Sequence, residues 1–435
     1  MPHIVIIGTC DTKLNELLYL RSQILASSRD GEGTDVTLID AGRSPIEHDH
    51  ITITHKTLTS QYAPPNAPED VSSLPRGELI VHMTGCATNY LRRAYQTGLD
   101  GPSKALTGVI SAGGTGNTSL ASAVMRAVLP IGLPKLIVST NASADVSPVV
   151  GETDIVMMPS IVDIAGDNQL LRRILSNAAG AIVGMSDAYQ RSLNESREAE
   201  NPSDTIGKKR VGLSMFGVTT PAVDKIRTYL EANYPIECYI FHMTGTGGKA
   251  MERLVTEGAL DAVCDVTTTE LCDHICGGVM DAGPHRLEAA LKAGIPYIIS
   301  LGALDMCNFG PKSSVPEKYQ DRKLFEHNPT VTLMRTNVEE SRAIGQFIVD
   351  KIKKFAKDPR KVQVVMPMGG ISIIATPGAP FHDAEADEAL FSAIREGLRN
   401  TSVTVIEDVR DINDGHFAAE LARQFAQLVR LSNAS

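Results

Sequence analysis

The run Ile4-Val5-Ile6-Ile7-Gly8-Thr9-Cys10-Asp11-Thr12-Lys13 has the pattern of a buried strand that turns into a helix. Its four β-branched residues are typical of a strand covered on both faces, and the glycine and polar residues after them are typical of a turn. Asp11 or Thr12 is predicted to cap the helix. The apolar stripe of that helix consists of Leu14, Leu17, Leu18, Ile24 and Leu25. Strand followed by amphipathic helix is the building unit of parallel sheets.

The same alternation recurs along all 435 residues and predicts the fold class. Further strands are predicted at 36–39, 109–111 and 136–139, and then at 211–215, 239–241, 262–266, 297–301, 331–334, 362–365 and 403–406. Between the two sets, residues 192–210 are polar and predict an exposed linker. We therefore predict an α/β protein with two domains, residues 1–195 and 208–435, and mostly parallel sheets flanked by helices.

Composition and charge exclude several classes of function. Asp and Glu outnumber Lys and Arg by 51 to 41, and no basic tract stands out, so direct DNA binding is not expected. No apolar run approaches the length of a membrane helix, so we expect no membrane insertion. The start of the chain lacks the pattern of a secretory signal, and the seven cysteines are irregularly spaced. Reduced thiols in a cytoplasmic protein are the expectation.

A glycine-rich turn, Ser111-Ala112-Gly113-Gly114-Thr115-Gly116-Asn117-Thr118, separates the predicted strand 109–111 from a helical pattern at 119–129. Such a turn leaves backbone N–H groups unpaired at the positive end of a helix, where proteins bind phosphate. The side chains of Thr115, Asn117 and Thr118 are expected to add donors. The alternative is a plain turn that uses glycine for its backbone freedom. Three glycines combined with three polar residues favour the anion site.

The turn Gly8-Thr9-Cys10-Asp11-Thr12-Lys13 has similar chemistry. Thr9 and Thr12 can donate to an anion, Lys13 can neutralise it, and Asp11 can hold Mg²⁺ directly or through water. An N-capping Asp11 beside a solvated Lys13 would explain the same residues. The local sequence does not decide between these two interpretations.

Three turns in the second part are candidate ligand sites. Gly245-Thr246-Gly247-Gly248-Lys249 resembles a phosphate-binding loop, but Met243 and Ala250 stand where that motif needs glycine and a hydroxyl residue. We predict an anion-binding turn there. A second turn contributes Gly217, Thr219 and Thr220. In Thr267-Thr268-Thr269-Glu270, one threonine is predicted to cap the next helix together with Glu270, and the others are left open.

Two metal-like clusters are better explained by structure. Cys272 and Cys276 share a helix face, but no second pair of ligands stands at a spacing suited to zinc, so buried thiols are predicted. The acidic residues at 383–387 match the first turn of a helix. No catalytic triad can be assigned from the sequence.

Eleven segments, in order along the chain, carry a resemblance to a known family: residues 7–13, 113–118, 129–135, 160–164, 215–221, 244–251, 267–270, 301–306, 308–310, 333–336 and 411–414. The family is the one typified by the ATP-binding inhibitory domain of the tomato tobamovirus-resistance protein. The resemblance covers nearly the whole chain. It implies two Rossmann-like domains, ATP binding with Mg²⁺ and a homodimer, but no catalytic residue and no reaction.

The resemblance also implies where the nucleotide binds. The contacts are expected in the turns 8–13 and 113–118, with Ser143 as a further contact after the strand at 136–139. The chain departs from its relatives at Asn117, where they carry glycine, and at Pro75, where they carry aspartate. Arg76 is still expected to reach a phosphate.

Two functions follow as expectations. In the first, the protein is an ATP-dependent enzyme acting on a small molecule. Its acceptor site would then be built by Gly217, Thr219, Thr220, Gly245, Thr246, Gly247, Gly248, Lys249, Thr268, Glu270 and Asp305. In the alternative, ATP regulates a non-catalytic protein that binds another macromolecule. No general base can be named from the sequence.

Overall fold

The computed structural model describes residues 2–27, 33–68, 71–99, 105–143, 145–198 and 207–431. The chain divides into two compact units, Met1–Thr205 and Ile206–Ser435, and each is treated by itself. Within the described ranges, no helix is both long enough and apolar enough to cross a lipid bilayer.

The first unit is built on a five-stranded parallel sheet in the order β2-β1-β3-β4-β5. Its strands are β1 (His3–Gly8), β2 (Asp35–Asp40), β3 (Leu106–Gly113), β4 (Lys135–Ser139) and β5 (Val156–Pro159). Its helices are α1 (Cys10–Ala26), α2 (His55–Gln61), α3 (Arg76–Leu99), α4 (Thr115–Val128), α5 (Ser147–Val150) and α6 (Gln169–Glu198).

Helices cover both faces of this sheet because its inner strands are apolar on both sides. Successive side chains of a strand point to opposite faces. Val5 and Ile7 accordingly join a cluster with residues of α3 and α4. Ile4 and Ile6 join a second cluster with residues of α1 and α6. A near-continuous run of branched residues, such as residues 4–7, is therefore what a doubly covered parallel strand requires.

The second unit has a six-stranded parallel sheet in the order β14-β13-β9-β8-β6-β7 and a small antiparallel sheet in the order β10-β12-β11. Its strands are β6 (Lys209–Met215), β7 (Ile236–His242), β8 (Ala262–Thr267), β9 (Tyr297–Gly302), β10 (Met306–Phe309), β11 (Leu324–Asn328), β12 (Val331–Arg335), β13 (Val362–Pro367) and β14 (Thr404–Asp408). Its helices are α7 (Thr220–Asn233), α8 (Thr246–Thr256), α9 (Glu270–Cys276), α10 (Glu288–Ala293), α11 (Val338–Phe355), α12 (Ala384–Leu398) and α13 (Gly415–Leu431).

The predicted fold class is confirmed, since both units are α/β with mostly parallel sheets flanked by helices. The predicted linker 192–210 is partly wrong, because α6 continues to Glu198 and β6 already begins at Lys209. Residues 199–206 lie outside the described part. Three strands, β5, β10 and β11, were not predicted. Two of them, β5 and β11, have largely accessible side chains. β11 ends in three polar residues, and β5 is only four residues long and ends in a proline.

Candidate functional site

The strand order of the first unit creates a crevice at the carboxyl edge of its sheet. From β1 the chain passes outward to β2 and then returns to the other side of β1 as β3. The turns that follow β1 and β3 therefore diverge, and open α/β sheets bind ligands at such a reversal of strand order. A cleft of about 520 Å³ lies here. It brings together the two turns that the sequence indicated, 8–13 and 113–118.

The cleft contains the N-terminus of α4. Gly114 is the N-cap, with φ −78° and ψ −172°, and no side chain caps the helix. The first helical bond there runs from Thr118 N–H to the Gly114 carbonyl (2.9 Å). The N–H groups of Thr115, Gly116 and Asn117 have no acceptor among the described residues. Together with the positive end of the helix dipole, these free donors make the position suitable for an anion.

Two side chains of this turn are engaged inside the unit, contrary to the prediction that they donate to phosphate. The Asn117 side-chain amide donates to Ser111 Oγ (2.8 Å), and Ser111 Oγ in turn donates to the Ile7 carbonyl (2.8 Å). Thr118 Oγ1 and Ser139 Oγ share a hydrogen bond of 2.7 Å. Both Asn117 and Thr118 are buried, whereas Thr115 remains exposed. Among the described residues of the turn, the backbone N–H groups and the exposed Thr115 side chain thus stay available to a ligand.

The Asn117 amide can be oriented from this network alone. A backbone carbonyl can only accept, so the Ser111 hydroxyl must give its proton to Ile7. Ser111 Oγ can then only accept from Asn117, which fixes the amide nitrogen toward Ser111. Asn117 Oδ1 is left buried without a donor among the described residues. The unsatisfied atom of this side chain is therefore a buried acceptor oxygen.

The turn after β1 is shaped by a kink in the first turn of α1. Lys13 has non-helical dihedral angles, φ −132° and ψ 22°. The predicted caps, Asp11 and Thr12, are wrong, because α1 begins at Cys10 with Thr9 as the N-cap residue. Thr9 Oγ1 and Thr12 Oγ1 lie 3.2 Å apart, and both residues line the cleft. Gly8 does not line it. A Cβ on Gly8 would collide with the side chain of Leu17, so this glycine is required for packing.

Asp11 joins the turn after β1 to the loop after β2. Its Oδ2 accepts hydrogen bonds from Arg43 N–H (2.9 Å) and Ser44 N–H (3.2 Å). Its other oxygen is close to Gly42, where a Cβ would collide with it. Asp11 also lines the cleft, so one carboxylate serves both the loop and the ligand space.

Three cationic side chains line the cleft: Lys13, Arg43 and Arg76. No carboxylate among the described residues pairs with any of them. Arg43 is held in place, since its Nη1 donates to the carbonyls of Ser72 and Leu74 (2.9 Å each). Among the described residues of the lining, Asp11 is the only acidic side chain, so they carry net positive charge and suit an anion with several charges.

The inner wall of the cleft is apolar. It consists of the buried side chains of Leu79 and Met83 on α3 and of Leu120 on α4. A ligand with a charged end and a flat apolar end fits such a division better than a small inorganic anion does. Ser143 lies exposed in the turn after β4 and is not among the lining residues.

The residues present fit Mg²⁺ only as an ion shared with a ligand. Hard cations prefer oxygen donors, and Asp11 supplies a carboxylate to the cleft, whereas Asn117 Oδ1 is buried. The described residues contain no group of three His, Cys, Asp or Glu side chains that could hold a metal ion by itself. Magnesium commonly keeps waters and takes one or two carboxylates together with phosphate oxygens. Asp11 is compatible with that arrangement.

Asp40 was not singled out from the sequence. It hydrogen-bonds to the turn after β1 and to the loop after β2. Its Oδ1 accepts from Cys10 N–H (3.1 Å) and Gly42 N–H (3.0 Å), and its side chain is fully buried at the end of β2. Burial raises the pKa of this carboxyl, and the two N–H donors oppose the rise. A signal was present, since an acidic residue directly after the second strand is a recurring feature of nucleotide-binding α/β folds.

The corresponding edge of the second unit is closed by its own residues. Thr219 Oγ1 bonds to Thr267 Oγ1 (2.7 Å), and Thr268 Oγ1 donates to the Ser300 carbonyl (3.1 Å). Thr220 Oγ1 donates to the Phe216 carbonyl (3.2 Å), and Gly217 is exposed. The hydroxyls predicted to contact a ligand are thus satisfied internally.

The turn 245–249 binds an anion, but the anion is a side chain of the protein. Glu270 Oε1 accepts from Gly245 N–H (2.7 Å) and Gly248 N–H (3.0 Å). Its Oε2 accepts from Arg286 Nε (2.9 Å). These two N–H groups are therefore not free for a ligand, contrary to the prediction. The predicted capping of α9 by Glu270 is also wrong, because Thr269 makes no side-chain cap. Gly247 is required for packing against the His242 backbone, while Thr246 and Lys249 remain exposed.

Asp305 is buried and does not reach a ligand space. Its Oδ2 accepts from Ser372 Oγ (2.8 Å), and burial raises its pKa to about 6. The side chains of Cys272 and Cys276 are buried thiols, as predicted. Asp383 caps α12 by accepting from Ala386 N–H (3.1 Å), which agrees with the structural interpretation of that acidic run.

Comparison with known proteins identifies the family. The sequence models described as the uncharacterised protein family (UPF0261) N-terminal domain and C-terminal domain match residues 2–191 and 208–429. A UPF0261 protein of Clostridium tetani is 39% identical over 434 residues, which cover 98% of each chain. The ToMV resistance protein Tm-1(GCR237) of Solanum lycopersicum is 37% identical over 440 residues, which cover 98% of this chain and 56% of that protein.

Solved structures add little. A UDP-N-acetylglucosamine 2-epimerase from Rickettsia bellii aligns over 99% of this chain and 96% of its own, at 9% identity and a TM-score of 0.21. A likeness of that size carries no argument about the cleft. The two family matches and the two relatives agree with one another, and the chain belongs to the uncharacterised protein family UPF0261.

Proposed function

We propose that the first unit binds ATP together with Mg²⁺ in the cleft between the ends of β1 and β3. One observation carries the proposal: the free N–H groups at the start of α4 line the same space as three cations, Lys13, Arg43 and Arg76, that pair with no carboxylate among the described residues. Backbone donors at a helix N-terminus and flexible or forked cationic side chains are the groups with which proteins bind phosphate chains.

The roles of the side chains follow from their positions. Lys13 and the α4 N-terminus neutralise phosphate, and the apolar wall formed by Leu79, Met83 and Leu120 takes the base. Magnesium, when bound, would screen the charge of neighbouring phosphate oxygens, and Asp11 is the residue that would hold it. The two N–H donors from Arg43 and Ser44 keep the Asp11 carboxylate oriented.

Turnover is a separate question from binding. An enzyme that activates or phosphorylates a small molecule needs a base near the acceptor. Among the described residues that line the cleft, Asp11 is the only carboxylate, and neither histidine nor cysteine is present. This favours the reading in which ATP regulates a binding protein. A stimulation of ATP hydrolysis by a particular metabolite would instead favour the enzyme. The homodimer is likewise proposed, and light scattering of the purified chain tests it.

Calorimetric titration with ATP, with and without Mg²⁺, tests the proposal, and NAD serves as the comparison ligand. Gly114→Val is the variant of choice. A Cβ at Gly114 meets nothing nearer than Thr140 Oγ1 at 3.8 Å, and its φ suits any residue, so the fold is expected to persist. The branched side chain would cover the free N–H groups, and we expect the ATP affinity to fall at least tenfold, about 1.4 kcal/mol.

The matched control is Gly184→Val on α6, an exposed glycine with open space around its Cβ position. Its ATP affinity should equal that of the wild type. Unchanged affinity in Gly114→Val, or binding of NAD in place of ATP, would remove the assignment of the phosphate to the α4 N-terminus.

A further inference from the structure

Arg76 lies directly across the first turn of α4. A Cβ built on Gly116 would lie 3.4 Å from Arg76 Nη2 and 4.0 Å from Arg76 Nε. The guanidinium thus lies beside the helix end whose N–H groups are free. No carboxylate among the described residues neutralises Arg76. Its side chain is exposed at the outer rim of the cleft, with charge available for a ligand.

Arg43 fixes the segment that carries Arg76. Its Nη1 bonds to the carbonyls of Ser72 and Leu74, which come just before the start of α3. Its own backbone N–H bonds to Asp11. The turn after β1, the loop after β2 and the beginning of α3 are therefore connected through one arginine. Arg43 and Arg76 both line the cleft, so Arg43 connects the three segments on which Arg76 depends for its position.

The spacing between the rim at Arg76 and the apolar wall at Met83 would orient a nucleotide in the cleft. Arg76 and Met83 belong to the same helix, so about 10 Å separates their positions along its axis at 1.5 Å per residue. Met83 is buried in the apolar wall, and Arg76 is exposed. A base against Met83 would direct the phosphate chain toward Arg76 and the α4 N-terminus, with the last phosphate between them at the rim.

From this geometry we infer that Arg76, positioned with the help of Arg43, is the residue that selects a triphosphate over shorter nucleotides by binding its terminal phosphate. The inference rests on the proposed function and deepens it. A guanidinium binds two phosphate oxygens at once, and that contact is lost when the terminal phosphate is absent. ATP therefore gains from Arg76, while ADP and AMP end before reaching it.

The test compares ATP, ADP and AMP by calorimetric titration of the full chain, for the wild type and for Arg76→Gln. Glutamine keeps a polar side chain but removes the charge and the fork. The wild type should bind ATP more tightly than ADP. In Arg76→Gln we expect the ATP affinity to fall at least tenfold, with little change for ADP, so that the ratio of the two affinities approaches one.

The control is Arg93→Gln, which removes an exposed arginine from the same helix outside the cleft. It should leave all three affinities unchanged. An equal loss of ATP and ADP affinity in Arg76→Gln would mean that Arg76 supplies only general positive charge. The proposed selection of the triphosphate by Arg76 would then be wrong. The same conclusion follows if neither affinity changes. A wild type that binds none of the three nucleotides would overturn the nucleotide site itself.

Inorganic tripolyphosphate tests the phosphate contacts separately from the contacts of the base. It carries the phosphate chain without the base, so it should compete with ATP at the rim and lose affinity in Arg76→Gln. Competition that does not respond to Arg76→Gln would place the terminal phosphate away from this arginine and contradict the inference.

Discussion

Arg286 is the cation that three carboxylates of the second unit share. Its side chain is 1% exposed and bonds to Asp265 (2.6 and 2.8 Å), Glu270 (2.9 Å) and Glu252 (3.3 Å). Truncation would leave three carboxylates without their cation. We expect Arg286→Ala to lower the free energy of unfolding by about 3–5 kcal/mol, measured as a shift of the urea transition.

Arg360→Ala is the control for that substitution, because Arg360 pairs with Asp358 at the surface, where an ion pair contributes little. Its transition should stay close to that of the wild type. Equal shifts for the two variants would show that the buried network adds no more than an exposed pair.

Asp305 gives the second unit a pH-dependent stability of defined sign. Burial raises the pKa of Asp305 to about 6, above the value of about 3.9 of an unfolded aspartate. Between these values the folded state binds the proton more strongly. The stabilisation is therefore complete below about pH 4 and is lost as the pH rises through 6. It amounts to about 3 kcal/mol at most, at 1.4 kcal/mol per pKa unit.

The variant Asp305→Asn cannot ionise and can still accept from Ser372, so the urea midpoint should change less between pH 5 and pH 8 than in the wild type. Asp273, whose pKa burial raises to about 7, contributes with the same sign and should preserve part of the slope. A slope identical to that of the wild type would assign the pH dependence to other groups.

At the scale of elements, the contact between α11 and α12 depends on a glycine. A Cβ at Gly345 would lie 2.8 Å from Ala393 Cβ and 3.0 Å from the Leu390 carbonyl oxygen. Alanine is otherwise favoured over glycine in a helix by about 1 kcal/mol. Because the two helices must separate to admit the methyl group, we expect Gly345→Ala to lower the melting temperature. The same change at exposed Gly184 of α6 should raise it. Shifts in the same direction would contradict the close packing of the pair.

Elements could be predicted where their signal is local. β1 follows from four branched residues. The turn before α4 follows from its glycines, but α4 begins at Thr115, whereas the helical pattern was predicted only from 119. Contacts between distant segments could not be predicted. The residues next to Asp11 in the sequence predict that it caps the helix. Its hydrogen-bond partners, Arg43 and Ser44, lie instead on the loop after another strand. Glu270 likewise fits a capping box locally, while its carboxylate bonds to Gly245, Gly248 and Arg286. For these polar residues, the sequence indicated the type of chemistry but not the hydrogen-bond partner.

Across the whole molecule, the two large sheets have related strand orders, but the carboxyl edge of one is open and that of the other is covered. Each begins with a strand one place in from the edge, β1 or β6, that pairs with the next strand on one side and with the one after that on the other. In the first unit this reversal opens a cleft. In the second unit, Ile373 N–H and the Asn413 amide both bond to the Val218 carbonyl, so loops cover the edge. Strand order alone therefore does not make a binding site.

We expect the two units to fold independently of each other. Each buried apolar cluster of the described residues draws its members from one unit. A domain with its own core can fold alone. We therefore expect the fragments 1–198 and 207–435 to fold separately, each with a cooperative thermal transition in circular dichroism. The first fragment should bind ATP with the affinity of the full chain, and its Gly114→Val version should not. A first fragment that folds but binds ATP more than tenfold more weakly would mean that the second unit contributes directly to the nucleotide site.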